Sequence, residues 1–429
     1  MNKPLHGLST RRQWLQTGAA GLLLPAAWPL AAQHGGHGGH AASSPTANRP
    51  ARRRPALAMS AALAPDGRLN SVMLEATAEA TPRLVLLRSA DQGRSWSAPQ
   101  PLAIGDDTVS ADGENHPKIA FGRDGLVVIA YTRPLDKPFT GAIRLLRSTD
   151  GGATFAPPVT VHHDRQVITH RFESMAFDAR GHLHVVWIDK RDLELAQAAG
   201  RRYEGAAIYR VESDDGGASF GPDTKLADHS CECCRIALAP SPDGGLVALW
   251  RHVFSGAGGQ VRDHGFAPLR GPGLPSGQEA PPPQRATQDG WVVAGCPHHG
   301  PGLAPAARGG WHAVWFGERG GVAAARYGRL DASGAPSGPV RSLPDATAEH
   351  ASVAAIGPQV ALVWRAFDGQ QMRWRAGLSS DDGASFQWRE LGRTRGESDH
   401  PRLAQDGQRV LALWRCADEG LRVHPLIGA

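Results

Sequence analysis

The sequence is poor in four things, and each absence narrows the reading. Apolar residues nowhere recur with helical period over a useful length, so a packed core has to come from strands. After the apolar run Ala19 to Ala32, no stretch approaches the roughly 20 residues of a membrane-spanning helix. Neither sign of charge dominates. The chain has 46 Lys and Arg against 41 Asp and Glu, and Arg11-Arg12 with Arg52-Arg53-Arg54 carry much of the excess, so nothing points to a nucleic-acid partner. Cysteine is scarce, and a count of five leaves at least one thiol outside any intramolecular pairing. Cys416, at the end of an apolar strand, is the candidate for an inert buried thiol.

What is present begins with an export address. Ser9-Thr10-Arg11-Arg12-Gln13-Trp14-Leu15 precedes a moderately apolar run, the pattern of twin-arginine export, with small residues suited to cleavage after Ala32. Residues 1–32 are therefore expected to be a signal peptide and the mature chain to be periplasmic. Residues 33–55, opening Gln33-His34-Gly35-Gly36-His37-Gly38-Gly39-His40, are too polar and Gly/Pro-rich to bury a core and read as a disordered tail. Its His34, His37 and His40 make either a flexible chelator of Cu(II), Ni(II) or Zn(II) or a linker in which histidine is incidental.

The remaining 56–429 are built from a repeat, and the repeat decides the fold. One half is a short apolar strand, an Asp/Gly turn and a second strand ending in an aromatic residue. It runs Ile119 to Tyr131, Met175 to Trp187, Ile236 to Trp250, Leu303 to Trp315, Val353 to Trp364 and Leu403 to Trp414, with Ala61 to Leu74 a seventh copy lacking the aromatic. Such runs are hairpin signals. The other half is Ser-x-Asp-x-Gly-x-x-(Trp or Phe), at Ser89 to Trp96, Ser148 to Phe155, Ser213 to Phe220 and Ser379 to Phe386. Here the aspartate can close a tight turn on local N–H groups while glycine accepts the unusual dihedrals.

This second half is identified as the Asp-box, and the chain from about residue 56 onward resembles the sialidase-like BNR-repeat β-propellers. The resemblance implies an all-β fold. Seven hairpins over about 370 residues give about 53 per unit, suited to four-stranded blades around a channel. Seven blades are expected, or six if the first copy only completes another sheet. The fourth unit is irregular: Ser255 to Gly290 is Gly/Pro-rich without an Asp-box, and reads as a lid or a loose loop.

Four of the five cysteines and two histidines fall in Cys231-Glu232-Cys233-Cys234 and Cys296-Pro297-His298-His299. Soft and borderline ions want thiolate and imidazole, so a metal is one reading. Structural disulfides, for example between Cys231 or Cys233 and Cys296, are another, and redox chemistry is a third. The copies can be aligned on the first apolar residue of each hairpin. His116, Phe172, Cys233, Gly300, His350 and His400 then fall three residues before it, flanked by Glu114, Asn115, His170, Glu173, Cys231, Glu232, Cys234, His298, His299, Glu349 and Asp399. If this strand is innermost in each blade, its start lies at one channel mouth and these residues converge. His162-His163, His182 and His184 fall outside the column and read as surface or strand residues.

The resemblance implies sialic-acid hydrolysis first, by a tyrosine paired with a glutamate, an aspartate acid/base and three arginines, with an Arg-Ile-Pro signature. This chain has no Arg-Ile-Pro, and Tyr131, Tyr203, Tyr209 and Tyr327 lie outside the column. Arg251, Arg365 and Arg415 recur after Trp, which the repeat's own period also explains. The cysteine runs resemble an exported subgroup of such propellers with Cys-x-Cys-Cys and Cys-Pro elements, whose activity is poorly defined. The residues favour a metal-binding protein, with copper expected ahead of zinc, serving acquisition, storage or delivery to a periplasmic or outer-membrane transport partner. Cys231, Cys233, Cys234 and Cys296 are the expected primary ligands, with His298 and His299 and further histidines from His116, His170, His350 and His400. Vicinal Cys233 and Cys234 cannot both meet one ion at ideal angles, so one stays spare or enters a disulfide. The remaining classes are a sialidase-like hydrolase and an interaction scaffold with structural disulfides.

Overall fold

Short apolar strands that alternate with Asp/Gly turns can bury both faces only by stacking sheet on sheet, and a ring of sheets does this without leaving an open end. The computed structural model describes residues 57–77, 81–111, 114–256, 259–269, 273–293, 295 and 297–428. The expected signal peptide, the tail with His34, His37 and His40, and Cys296 lie outside them. Seven antiparallel sheets follow one another along the chain, six of four strands and the last of three. Their inner strands are Met59–Leu63, Lys118–Phe121, His170–Phe177, Ala237–Pro240, Gly302–Pro305, Ala348–Ile356 and Arg402–Gln405, which define blades 1 to 7. Each inner strand packs against the next around the ring, and the seventh returns to the first. The copy without an aromatic is therefore a full blade, and the propeller has seven.

Second strands are buried on both faces, as Leu183–Asp189 and Leu246–Arg251 are along their whole length, because each lies between two neighbouring sheets. An apolar core fills each junction, and the one between blades 6 and 7 is divided in two. Met59, Leu63 and Leu69 of blade 1 pack on Ala404, Leu411 and Leu413 of blade 7 and close the ring. Burying a side chain such as Leu413 contributes roughly 1.5–3 kcal/mol, so closure rests on this core together with the Met59 amide, which donates to Asp399 Oδ2 at 2.9 Å. Aromatic ends of second strands are buried, and three of the tryptophans are anchored by carboxylates at their polar tips. The indole N–H groups of Trp187, Trp315 and Trp364 donate to Asp189, Asp289 and Asp345.

The four Ser-x-Asp-x-Gly turns follow third strands and repeat one bonding pattern. In the first, Ser89 Oγ donates to Asp91 Oδ1 (2.8 Å) and accepts from the Gly93 amide (2.7 Å), while the Ser95 amide and hydroxyl donate to Asp91 (2.8 and 2.6 Å). Asp150, Asp215 and Asp381 hold their turns the same way. Glycine is required in the last: Gly383 sits at φ +79°, and a Cβ there would meet Tyr327 Oη of blade 5 at 1.8 Å.

Two expectations are corrected. The stretch Ser255 to Gly290 is no loose loop, because it carries the outer strands of blade 4, His264–Pro268 and Gln284–Arg285, and all but the first residue of a small hairpin, Phe254–Gly256 with Gly259–Val261. Its segment around 277–280 is tied down: the Gly277 amide donates to Asp192 (2.8 Å) and the Ala280 amide to Asp228 (2.6 Å), and buried Lys225 bridges both carboxylates. Asp192 belongs to a short helix, Arg191–Ala198, which eight residues of weak period did not announce.

Candidate metal centre

Each blade presents the start of its inner strand to the axis, and local sequence shapes that start. Proline follows His116 and His400, holding each histidine in extended backbone as it enters its strand. Blades 3 and 6 instead insert an extra residue. Phe172 (φ 58°) and His350 (φ 51°) sit where the register slips against the second strand, so the bulged residue is re-aimed out of the ladder.

Three blades meet at Glu114, which is fully buried. His350 Nδ1–H of blade 6 donates to Glu114 Oε1 at 2.6 Å, His400 Nδ1 of blade 7 lies 3.7 Å from the same oxygen, and Arg235 Nη1 of blade 4 donates to both oxygens at 2.9 and 2.7 Å. Arg235 also donates to the carbonyls of Pro301 and Ala351, so one side chain joins blades 4, 5, 6 and 2. Burial pulls the Glu114 carboxyl upward, but Arg235 and then His350 outweigh it and hold it well below the usual range. Because Glu114 is ionised and accepts, His350 carries its proton on Nδ1 and its lone pair on Nε2.

That lone pair faces Glu349, whose Oε2 is 4.0 Å from His350 Nε2 and whose Oε1 accepts from Arg365 Nε at 2.8 Å. His299 of blade 5 completes a stack: Phe316, His299, His350 and His400 lie ring on ring with centroids 4.3, 4.4 and 3.4 Å apart. Two sets of donor atoms fall within 4.8 Å of one another here, His299 with Glu349 and His350, and Glu114 with His350 and His400. Burial pushes the imidazoles down, His299 to about 2 and His116, His350 and His400 in the same direction, so all are neutral. His116 Nε2, His299 Nδ1 and His400 Nδ1 are buried without a hydrogen-bond partner. On one side the group opens through His400 and Asp399 into a cleft of about 570 Å³ that Arg365 also lines.

The sulfur group is separate. Cys231, Cys233 and Cys234 lead into blade 4 and lie in the apolar core shared with blade 3, their sulfurs within 4.8 Å of one another. Cys233 is disulfide-bonded, whereas Cys231 and Cys234 are thiols. The expected ligand Cys233 therefore offers no thiolate in this state. Cys234 Sγ–H donates to Cys231 Sγ at 3.9 Å, which lowers Cys231 to about 6 with help from Arg251 and Arg262, and raises Cys234. Arg251 links the two groups, donating to the carbonyl of His299. Among the described residues the sulfurs and imidazoles thus form neighbouring sets, where one mixed site was expected.

Other expected ligands lie elsewhere. His170 stacks on His162 and contacts Asp164, Asp189 and the Gly141 carbonyl, outside both sets. His298 is exposed beside the buried His299, so only one of the pair turns inward. His184 lies in the strand Leu183–Asp189, within the surface-or-strand expectation, whereas His162 is buried outside any strand. Cys416 is a buried thiol whose pKa burial pushes up to about 12. All four tyrosine hydroxyls are engaged: Tyr131, Tyr203 and Tyr209 with Asp107, Asp228 and Asp192, and Tyr327 with His312. Arg235, Lys118 and Arg402 were missed, although a signal existed. Two residues after the aligned column, three copies carry a base, in His116-Pro117-Lys118, Cys233-Cys234-Arg235 and His400-Pro401-Arg402.

No protein-family model matches the sequence, and no curated protein matches it. Among solved structures the chain is similar to an ulvan lyase of polysaccharide lyase family PL25 bound to -[GlcA(1-4)Rha3S]-. The TM-score is 0.51 and the identity 12%, covering 84% of this chain and 90% of that one. A GH93 α-L-arabinofuranosidase of Fusarium graminearum gives a TM-score of 0.49 at 14% identity, over 72% of this chain and 88% of that one. A Hadza microbial sialidase gives 0.46 at 16%, over 86% and 66%. The likeness to the lyase is one of fold alone.

Proposed function

We propose that this protein is a metal-binding β-propeller that holds copper at its axis on His350 Nε2, His299 and Glu349, with Glu114 orienting His350. The observation that carries the reading is the set of two buried imidazoles and one half-buried carboxylate from blades 5 and 6, with donor atoms within 4.8 Å of one another. A ligating imidazole that gives its other N–H to a carboxylate is the usual outer support of a metal site, and Glu114, itself held by Arg235, occupies that place. The donors are neutral imidazoles and a carboxylate already paired with Arg365, so the set carries little net negative charge. At nitrogen and oxygen donors Cu(II) outcompetes Zn(II), which favours copper over zinc. The stacked rings set the lone pairs of His299 and His350 side by side, so joint ligation requires one ring to rotate.

Acquisition, storage or delivery of copper in the periplasm is the role this reading assigns, with export by the twin-arginine route and a transport partner receiving the ion. A sialidase-like hydrolase draws on the fold only, since each tyrosine hydroxyl is committed to an aspartate or histidine. The test is to load purified protein with Cu(II), remove loose ion by dialysis, and measure metal content and the nitrogen couplings in its electron paramagnetic resonance. His350→Ala and Glu349→Gln, folded by circular dichroism, are expected to weaken binding at least about tenfold. Wild-type-like binding by both, or no binding by the parent, overturns the reading.

A further inference from the structure

The sulfur group lies outside the axial set, and its geometry carries an argument of its own. Sulfurs that share one ion at a bond length of about 2.3 Å stand about 3.8 Å apart in tetrahedral geometry and about 4.0 Å apart in trigonal geometry. Cys231 and Cys234 are 3.9 Å apart, and Cys233 Sγ is within 4.8 Å of both. The backbone thus already holds Cys231 and Cys234 at the separation that ligation demands, and, against the expectation for a vicinal pair, it also keeps Cys233 Sγ near enough to approach the same ion at less than ideal angles.

The surroundings select the kind of ion. The three residues are 1–7% exposed, among Phe172, Ile236 and Trp250. A dry pocket of this sort suits an ion content with two or three soft ligands, and thiolates select Cu(I) among first-row ions. A complex of Cu(I) with two or three thiolates is anionic and needs positive charge beside it when buried. Arg251 supplies it: the residue is 1% exposed, and among the described residues its guanidinium donates to the carbonyls of Arg262, His299 and Phe316 and to no carboxylate.

We infer that Cys231, Cys233 and Cys234 form a second, soft-metal site for Cu(I), gated by the disulfide of Cys233. With that bond intact the group offers two thiols. Reduction adds two electrons and two protons to the disulfide, supplied by a dithiol that is itself oxidised to its cyclic disulfide, and frees Cys233 as a third ligand. Each thiol that ligates Cu(I) releases its proton. The site rests on residues independent of the axial set, so either proposal can fail while the other stands.

The experiment uses full-length protein and Cu(I) delivered anaerobically from its bicinchoninate complex, before and after treatment with dithiothreitol followed by desalting. Reduction is expected to tighten Cu(I) binding at least tenfold and to bring up thiolate-to-metal absorption in the ultraviolet. Cys234→Ser is expected to lose that binding and His350→Ala to keep it, with the axial Cu(II) signal behaving in the opposite way. X-ray absorption on the reduced parent guards against a variant that merely misfolds, and a sulfur shell near 2.3 Å is expected. A shell of nitrogen alone, Cu(I) affinity unchanged by dithiothreitol, or a Cys233 that alkylation and mass spectrometry find still oxidised after treatment would each overturn the inference.

Discussion

Arg235 of blade 4 reaches across the axis and donates from Nη1 to both oxygens of Glu114 in blade 2, at 2.9 and 2.7 Å. The arginine side chain is 11% exposed and the glutamate fully buried, so neither charge is answered by water. Removing the arginine alone strands a buried carboxylate, which costs about 3–5 kcal/mol. Arg235→Met should therefore lower the denaturant midpoint sharply, and adding Glu114→Gln should restore much of the loss. Equal midpoints for the single and double variants would show that the pair does not act as a unit.

The axial donor set predicts how the fold responds to metal. An ion bound only by the folded state at one hundred times its dissociation constant stabilises by about 2.7 kcal/mol. Cu(II) should raise the melting temperature and a chelator should return it to the starting value. His170→Ala and His298→Ala should keep the full shift, since neither residue belongs to the axial set. Loss of the shift in these two variants, with retention in His350→Ala, would place the ion elsewhere.

The aspartate turns predict acid sensitivity. The Ser95 hydroxyl and amide and the Ser89 hydroxyl hold Asp91 down to about 2. At Asp215 slight burial pulls upward, but Ser219 and Ser213 outweigh it and also leave about 2. Asp150 and Asp381 shift in the same direction, led by bonds from Thr154 and Ser379. An unfolded aspartate titrates near 3.9, so between about pH 4 and pH 2 the unfolded chain binds more protons. The contribution of these turns is present above pH 4 and is lost as pH falls through 2. Asp91→Asn with Asp215→Asn should flatten the decline of melting temperature over that window, and an unchanged slope would count against the turns as its cause.

Ring closure predicts a local effect. Asp399 accepts the Met59 amide at 2.9 Å and the His400 amide at 2.7 Å, tying the first strand to the last blade. Asp399→Ala should cost about 1–3 kcal/mol by leaving buried amides unanswered. Hydrogen exchange in Met59–Leu63 should accelerate before that in blade 3. Uniform acceleration throughout would mean that closure depends on the apolar core alone.

The axial group was legible in part. Aligning the hairpins marked His116, His350 and His400 as equivalent positions, with Glu114 and Glu349 beside them, because a blade is a local unit whose inner strand begins at a fixed offset. The same offset misjudged blade 3, where the bulge at Phe172 puts an apolar side chain in the column and His170 turns to His162. It also could not separate His298 from His299, since a one-residue difference in direction depends on what the neighbouring blade presents. Phe316 and His350 are what receive His299.

From the sequence by itself came the hairpins and the four aspartate turns, which depend on interactions within a few residues, while the choice of seven blades over six waited on the first copy forming a sheet of its own. Tertiary structure alone decided that Arg235 would serve Glu114, that imidazoles from blades 5, 6 and 7 would stack, and that the sulfurs would keep to a core of their own. The arginine and imidazole pairings join residues fifty or more positions apart. They follow from how seven sheets close on an axis, where each side chain's partner is chosen by the blade it faces and not by its neighbours in the chain.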